Sequence, residues 1–282
     1  MDKYTFVVEK ENGFKAIDFL KSKGISKEII QKVKYGNVYL NNVKLNNINE
    51  KVHVGDTLHI LLPQDQINLF VKPVNAPLDI VYQDDYMIAV NKDSGVLTHN
   101  SKGNDMISLD QMVCGYFAPT PFTFRAINRL DRDTGGIVLI AKDMISASFL
   151  GDLMKNGGIK KTYSAIVVGK PNKDHFFIEK PIKRQSEGSM KRVAHEQGQY
   201  AKSECWFVKD LGCGLSLMDI TLHTGRTHQI RVHLSSIGLP LYADSLYGQK
   251  VEGKTYLLHA KSLEFIHPFT KEQITLSLPI KL

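Results

Sequence analysis

The residues best placed to do chemistry are Arg129-Leu130-Asp131-Arg132-Asp133-Thr134-Gly135-Gly136, followed by the apolar run Ile137-Val138-Leu139-Ile140-Ala141. The run predicts a buried strand, entered through a turn that glycine makes easily. Asp131 is therefore expected at the mouth of an apolar core, where a bare negative charge is costly. A carboxylate kept there calls for a cationic partner and marks a functional-site candidate. The second cluster is Thr224-Gly225-Arg226-Thr227-His228-Gln229-Ile230-Arg231-Val232-His233-Leu234. It follows a strand in which Met218, Ile220 and Leu222 alternate with Asp219, Thr221 and His223. Thr227 is the expected helix N-cap. Ile230, Leu234 and Ile237 fall at i, i+4, i+7, the spacing of a buried stripe. His228 and Arg231 stand three apart and share a neighbouring face, which makes Arg231 a candidate partner for Asp131. A purely structural Arg–Asp clamp would leave the same pattern.

Other chemistries fit less well. Gly248-Gln249-Lys250-Val251-Glu252-Gly253-Lys254-Thr255 matches a phosphate-binding loop, which needs a strand before it and a helix after it. The flanking residues predict neither. His223, His228 and His233 are spaced by five, which does not align them on one helical face for zinc, and no H-E-x-x-H or G-x-S-x-G occurs. Asp131 and Asp133 could form a carboxylate pair as in glycoside hydrolysis, although Asp133 before Thr134-Gly135 reads more simply as a turn residue. No metal and no cofactor is expected.

The elements that must carry these clusters follow from the rest of the 282 residues. Residues 1–62 predict a small α/β unit: a short helix around Ala16–Leu20, a second capped by Ser26, and a hairpin turning at Asn41-Asn42 between Val38, Leu40 and Val43, Leu45. Residues 63–78, with Pro63, Pro73 and Pro77, read as a linker. Residues 79–282 form the remaining domain: two strands around the Asp84-Asp85 turn, the strand after Gly136, a helix over about 144–155, and a strand over Thr162–Val168. The whole reads as α+β with a mixed, largely antiparallel sheet. The net charge of +7 favours a polyanionic partner. Lys27, Lys32 and Lys34 on the second helix, and Lys183 and Arg184 in the polar stretch 183–192, are candidate phosphate contacts; a solvated helix face and a solvated hairpin loop are the plain alternatives. No apolar run is long enough to span a bilayer, the first residues lack a signal peptide's apolar stretch, and the three cysteines have no CxxC spacing. A cytoplasmic protein with free thiols is expected, with no membrane association and no obligate protein partner.

Residues 1–62 resemble the S-four RNA-binding domain, on Ala16-Ile17-Asp18-Phe19-Leu20, Ser26, Ile29 to Asn41 and Val54-Gly55-Asp56-Thr57-Leu58, with lysines (Lys15, Lys27) where arginines are usual. Residues 79–280 resemble the RluA-type pseudouridine synthases. The motifs are Arg129 to Gly136, Lys161-Thr162-Tyr163, Thr224 to His233, Leu246-Tyr247-Gly248, and Leu258-His259-Ala260 with His267-Pro268. The resemblance implies an isomerase acting on RNA, with ribosomal RNA of the large subunit first and transfer RNA second. It implies that Asp131 is catalytic, that Arg129 fills the space left by a flipped uridine, that Tyr163 packs on the base and is a candidate general base, and that Arg231 pairs with Asp131. Arg226 and His228 fall in the same motif as substrate contacts. Asn128 stands where the family has His. A non-catalytic RNA-binding or ribosome-assembly protein on the same fold is the alternative reading.

Overall fold

The computed structural model describes residues 4–10, 14–65, 71–100 and 106–280. Its first part comprises β1 (Tyr4–Val7), α1 (Ala16–Ser22), α2 (Lys27–Val33), β2 (Val38–Leu40), β3 (Val43–Lys44) and β4 (Thr57–Ile60), with the strands in the order β1-β4-β2-β3. Ser26 does cap α2, its hydroxyl accepting from the Ile29 amide at 3.3 Å. Asn41 and Asn42 have φ of 51° and 66°, the left-handed pair that a two-residue hairpin turn requires. Helices of seven residues are too short to persist alone in water. They are held by packing Leu20, Ile30 and Val33 against Val38, Leu58 and Ile60.

This unit is docked on the rest of the chain. The Tyr4 hydroxyl donates to Asp143 at 2.7 Å, and its ring meets those of Phe269 and Tyr86 edge-on, with centroids 5.4 and 5.9 Å away. The connecting stretch is also fastened. Asp65 accepts from the Arg125 guanidinium and the Thr123 amide, each at 2.8 Å, and the Val74 amide donates to the Gln111 carbonyl at 3.0 Å.

The remaining elements are β5 (Ile80–Gln83), β6 (Met87–Lys92), α3 (Leu109–Phe117), β7 (Arg125–Ala126), β8 (Gly135–Ala141), α4 (Met144–Lys155), β9 (Ile159–Val168), β10 (His175–Glu179), β11 (Ile182–Arg184), β12 (Arg192–Ala194), β13 (Lys202–Gly212), β14 (Leu215–Leu222), α5 (Gln229–Ser235), β15 (Leu258–Ile266) and β16 (Gln273–Ser277). Most join one sheet in the order β10-β13-β14-β9-β15-β8-β6-β5, with β16 beside β15 and β7 beside β8. β11 and β12 form a separate hairpin. Within the large sheet β8 and β15 run parallel and the other paired strands are antiparallel, so the class is α+β with a mixed, largely antiparallel sheet.

β8 explains the unbroken apolar run. Val138 and Ile140 face a core shared with α3 and α5, while Ile137 and Leu139 face a second core under α4. A strand covered on both faces needs apolar residues at every position. Asn128 has a structural task. Its Nδ2 donates to the Ile137 carbonyl at 2.9 Å and its Oδ1 accepts from the Leu139 amide at 2.8 Å, so it pairs with the backbone of β8 like a strand residue.

Three local expectations change. β9 begins at Ile159, three residues before Thr162. Ile237 lies beyond the end of α5 and is exposed. The N-cap of α5 is His228, with φ 58° and ψ 21°, and not Thr227. The turn is closed instead by Gln229, whose Oε1 accepts from the Arg226 amide at 2.9 Å and the Thr224 hydroxyl at 2.7 Å.

At Gly136 glycine is indispensable. Its φ is 109°, and a Cβ there would stand 2.4 Å from the Ala260 carbonyl oxygen on β15. Gly136→Ala is expected to destabilise the protein by at least about 3 kcal/mol, from backbone strain plus overlap. Urea unfolding with a midpoint equal to that of the parent protein would refute this.

Candidate active site

Asp131 sits on the loop between β7 and β8, and the loop is held by its own carbonyls. The Thr98 hydroxyl donates to Leu130 O at 2.8 Å, the Ser94 hydroxyl to Asp133 O at 2.7 Å, and the Gly95 amide to Arg132 O at 2.9 Å. Lys92 is buried beneath, and its ammonium donates to the carbonyls of Arg132 and Asp93 at 2.9 Å and of Val96 at 2.6 Å. Burial pushes this amine down to about 8, against the pull of Asp133, Asp131 and Asp93. Val90-Asn91-Lys92 belongs to the stretch that resembles the RluA-type enzymes, but no role for Lys92 was expected. A lysine inside the apolar stretch Met87–Val90 and its continuation was the available signal.

A cleft of about 250 Å³ opens over this loop, and Arg129, Asp131, Tyr163, Arg226, His228 and Arg231 all line it. These six come from β9, the β7–β8 loop, and the turn and first residues of α5, so the two sequence clusters and the Lys-x-Tyr segment converge. Asp131 is one-third exposed. Its Oδ2 lies 3.6 Å from Arg231 Nη1 and 3.7 Å from His228 Nε2.

Arg231 has a closer partner than Asp131. Its Nε and Nη2 both donate to Asp244 at 2.8 Å. Asp244 is fully buried and also accepts from the Leu246 and Tyr247 amides at 3.0 and 3.2 Å. The guanidinium carbon lies 4.5 Å from the Tyr256 ring centroid and 4.9 Å from that of Tyr247. Nη1 alone is left to point at Asp131. Burial alone would raise the Asp244 carboxyl, but the Arg231 hydrogen bonds and charge outweigh it and hold the group below the usual carboxylate range. For Arg231, burial is likewise outweighed, chiefly by Asp244, and the guanidinium stays charged. Asp244 was missed in the sequence because its partner lies thirteen residues back and nothing in Ala243-Asp244-Ser245 distinguishes it from a turn residue.

His228 is fixed by Tyr247. The Tyr247 hydroxyl accepts from the Arg192 amide at 2.8 Å and lies 2.7 Å from His228 Nδ1. A phenol that donates to Nδ1 leaves a neutral His228 with its Nε2–H toward Asp131. Tyr163 is buried among the cleft's apolar residues. Burial, with the Asp131 charge adding to it, pushes its phenol well above the usual range. A phenol so held keeps its proton. Two groups of expected RNA contacts lie away from the cleft: Lys183 and Arg184 are on β11, and Lys27, Lys32 and Lys34 are on or next to α2. The β11–β12 hairpin reaches the site through the Arg192 amide, which donates to the Tyr247 hydroxyl, and packs Ile182 and Ala194 with Val232 of α5.

His228, His233 and His259 are each held below the ordinary imidazole value of 6.5, burial being the main cause in all three. For His228, Asp131 opposes the shift and Arg231 adds to it. As pH falls, the unfolded chain takes up these protons before the folded one, so stability is present above pH 6.5 and declines below it. The melting temperature is expected to fall between about pH 7 and pH 5. A flat or rising melting temperature over that interval would contradict these burials.

With this geometry in view, the comparisons with known proteins converge. The family profile described as RNA pseudouridylate synthase matches residues 86–236. An uncharacterised RNA pseudouridine synthase of Bacillus subtilis, YjbO, is 34% identical over 91% of this chain and 92% of its own length. The ribosomal large subunit pseudouridine synthase C of Buchnera aphidicola is 30% identical over 88% of this chain and 83% of its own. Among solved structures, human RNA pseudouridylate synthase domain containing 1 superposes with a TM-score of 0.61 at 25% identity, covering 72% of this chain and 84% of that one. The chain belongs to the RNA pseudouridylate synthase family and is an isomerase of RNA uridine.

Proposed function

We propose that this enzyme isomerises uridines of large-subunit ribosomal RNA, with Asp131 as the catalytic carboxylate. The observation that carries the reading is Asp131 in a cleft, facing Arg231 and His228 at 3.6 and 3.7 Å. Isomerisation breaks the bond from uracil N1 to ribose C1′, forms one from C5 to C1′, moves a proton off C5 and leaves one on N1. Atoms balance without oxidant or energy source. Asp131 would attack C1′, add to the ring or remove a ribose proton, and in each case it must be ionised when the base arrives. A neighbouring guanidinium favours that form. Arg129, exposed at the cleft rim, would occupy the stacked position a flipped uridine vacates, offsetting the few kcal/mol that extrusion costs. Tyr163 would pack on the extruded ring.

Ribosomal RNA is favoured by relatives named as large-subunit enzymes, the Buchnera protein and the synthase D of Nitrosomonas europaea. Residues 1–62 would serve as an S-four-like RNA-binding domain, joined through residues 63–78 to a catalytic domain over 79–282. The exposed Lys27 and Lys32, with Lys34, and the Lys183–Arg184 hairpin would grip phosphates. The test is to map pseudouridines in ribosomal RNA from cells with and without this gene. Loss of one or more large-subunit positions is expected. An unchanged ribosomal map with a changed transfer RNA map would transfer the substrate assignment to transfer RNA.

A further inference from the structure

The face of the large sheet opposite Tyr163 carries a row of rings that the catalytic site does not use. On β10, His175 and Phe177 share one face with Trp206 and Glu204 of β13, since His175 pairs with Trp206 and Phe177 with Glu204. The other side of both strands, with Ile178 and Cys205, is core. His175 stacks on Trp206 with centroids 5.1 Å apart and planes 16° apart. Phe177 meets His175 edge-on at 5.3 Å and tilts toward His223 at 6.3 Å. Lys202 Nζ lies 5.0 Å over the Phe177 ring. Phe177 is 50% exposed, so its ring presents an open edge of stacking surface to solvent.

This row is continuous with the catalytic cleft. A cavity of about 790 Å³ passes round the end of β14, sharing Arg129, Tyr163 and Arg226 with the cleft and reaching Glu204 and His223 of the ring row. Lys155 and Lys161 also line it, and among the described residues neither makes an ion pair. The acidic groups on the face are paired: Glu204 with His175 and His223 at 2.9 and 3.1 Å, Glu179 with Lys202 at 3.4 Å, and Asp219 with Lys261 at 2.6 Å. Against Glu204, the carboxylate of its lining, the groove sets Arg129, Lys155, Lys160, Lys161 and Arg226, a cationic surplus.

We infer that this groove and ring row form a second RNA subsite, which stacks single-stranded bases flanking the target uridine; the inference rests on the RNA-modifying reading above. Exposed rings beside lysines are what sequence-tolerant single-strand binding requires, because every base has a stacking face and every linkage a charge. The groove's continuity with the cleft makes the occupant the same strand that delivers the uridine.

Trp206 is the chain's single tryptophan, so its fluorescence reports on the subsite directly. The full-length protein is titrated with an oligouridylate of about a dozen nucleotides. Saturable change of Trp206 emission is expected, with Phe177→Ala weakening binding about 5- to 100-fold and Phe177→Tyr staying within about twofold of the parent. The KM for an RNA substrate should rise in Phe177→Ala by a similar factor. Trp206 emission that ignores bound RNA, or a Phe177→Ala protein with parental affinity and KM, overturns the subsite while leaving the enzyme reading intact. Absence of any pseudouridine formation by the parent protein overturns both.

Discussion

Asp131→Asn is expected to lose roughly 10⁴-fold or more in the rate of pseudouridine formation, the order seen when a reacting side chain is removed, while folding and RNA affinity stay near those of the parent. The substitution is isosteric. It removes the charge that Arg231 and His228 face at 3.6 and 3.7 Å and with it the nucleophilicity and basicity needed for attack or proton removal. Asp131 is a third exposed, so losing its charge does not strand a buried partner: Arg231 keeps both hydrogen bonds to Asp244. Nucleoside analysis of treated RNA gives the rate, and a thermal melt and an RNA titration give the controls. Parental turnover would remove Asp131 from the chemistry. Lost affinity with an unaltered rate constant would make it a binding residue.

Asp244→Ala is expected to destabilise the protein by about 3–5 kcal/mol, because breaking one side of a buried ion pair leaves the other charge uncompensated. Arg231 is buried, with its guanidinium between the rings of Tyr256 and Tyr247, and Nε and Nη2 would lose both of their hydrogen bonds, leaving Nη1 alone facing Asp131 and the cleft. For a chain of this size the corresponding fall in melting temperature is on the order of 10 °C. Activity should suffer as well, since Nη1 is aimed at Asp131 only while Nε and Nη2 are anchored. A melt within a degree or two of the parent would mean that the Arg231–Asp244 pair contributes little, and that Arg231 is positioned by ring packing alone.

The parts of this protein that could be read in the sequence are those whose cause is local. The run Ile137–Ala141 is buried on both faces and says so at every position. Asn41-Asn42 announces its hairpin because both residues tolerate left-handed backbone. Ser26 is equally self-contained, whereas Gly135-Gly136, expected as a turn, are the first two residues of β8. In the candidate site, Asp131, Arg231, His228 and Tyr163 could be named because their motifs are compact and resemble a known family. What could not be read depends on pairings distant in sequence. Asp244 becomes Arg231's main partner only once the loop after α5 folds back. Lys92 becomes the anchor of the Asp131 loop through Arg132, forty residues away. His228 can cap α5 with left-handed backbone because Gln229 and Tyr247 hold its surroundings, and neither link has a signature in the sequence. The ring row was hidden because Lys202, Glu204 and Trp206 alternate with core residues and read as an ordinary wet strand face. Only strand pairing brings His175 and Phe177 beside them.

The most direct test of the central claim uses RNA whose uridines carry tritium at carbon 5, since joining that carbon to ribose must expel its hydrogen. The purified protein is expected to release tritium to water in step with pseudouridine formed, and the Asp131→Asn protein to release essentially none from RNA it still binds. Tritium release by the Asp131→Asn protein at the parental rate would contradict the account, because the isomerisation would then be proceeding without the carboxylate around which the cleft is arranged.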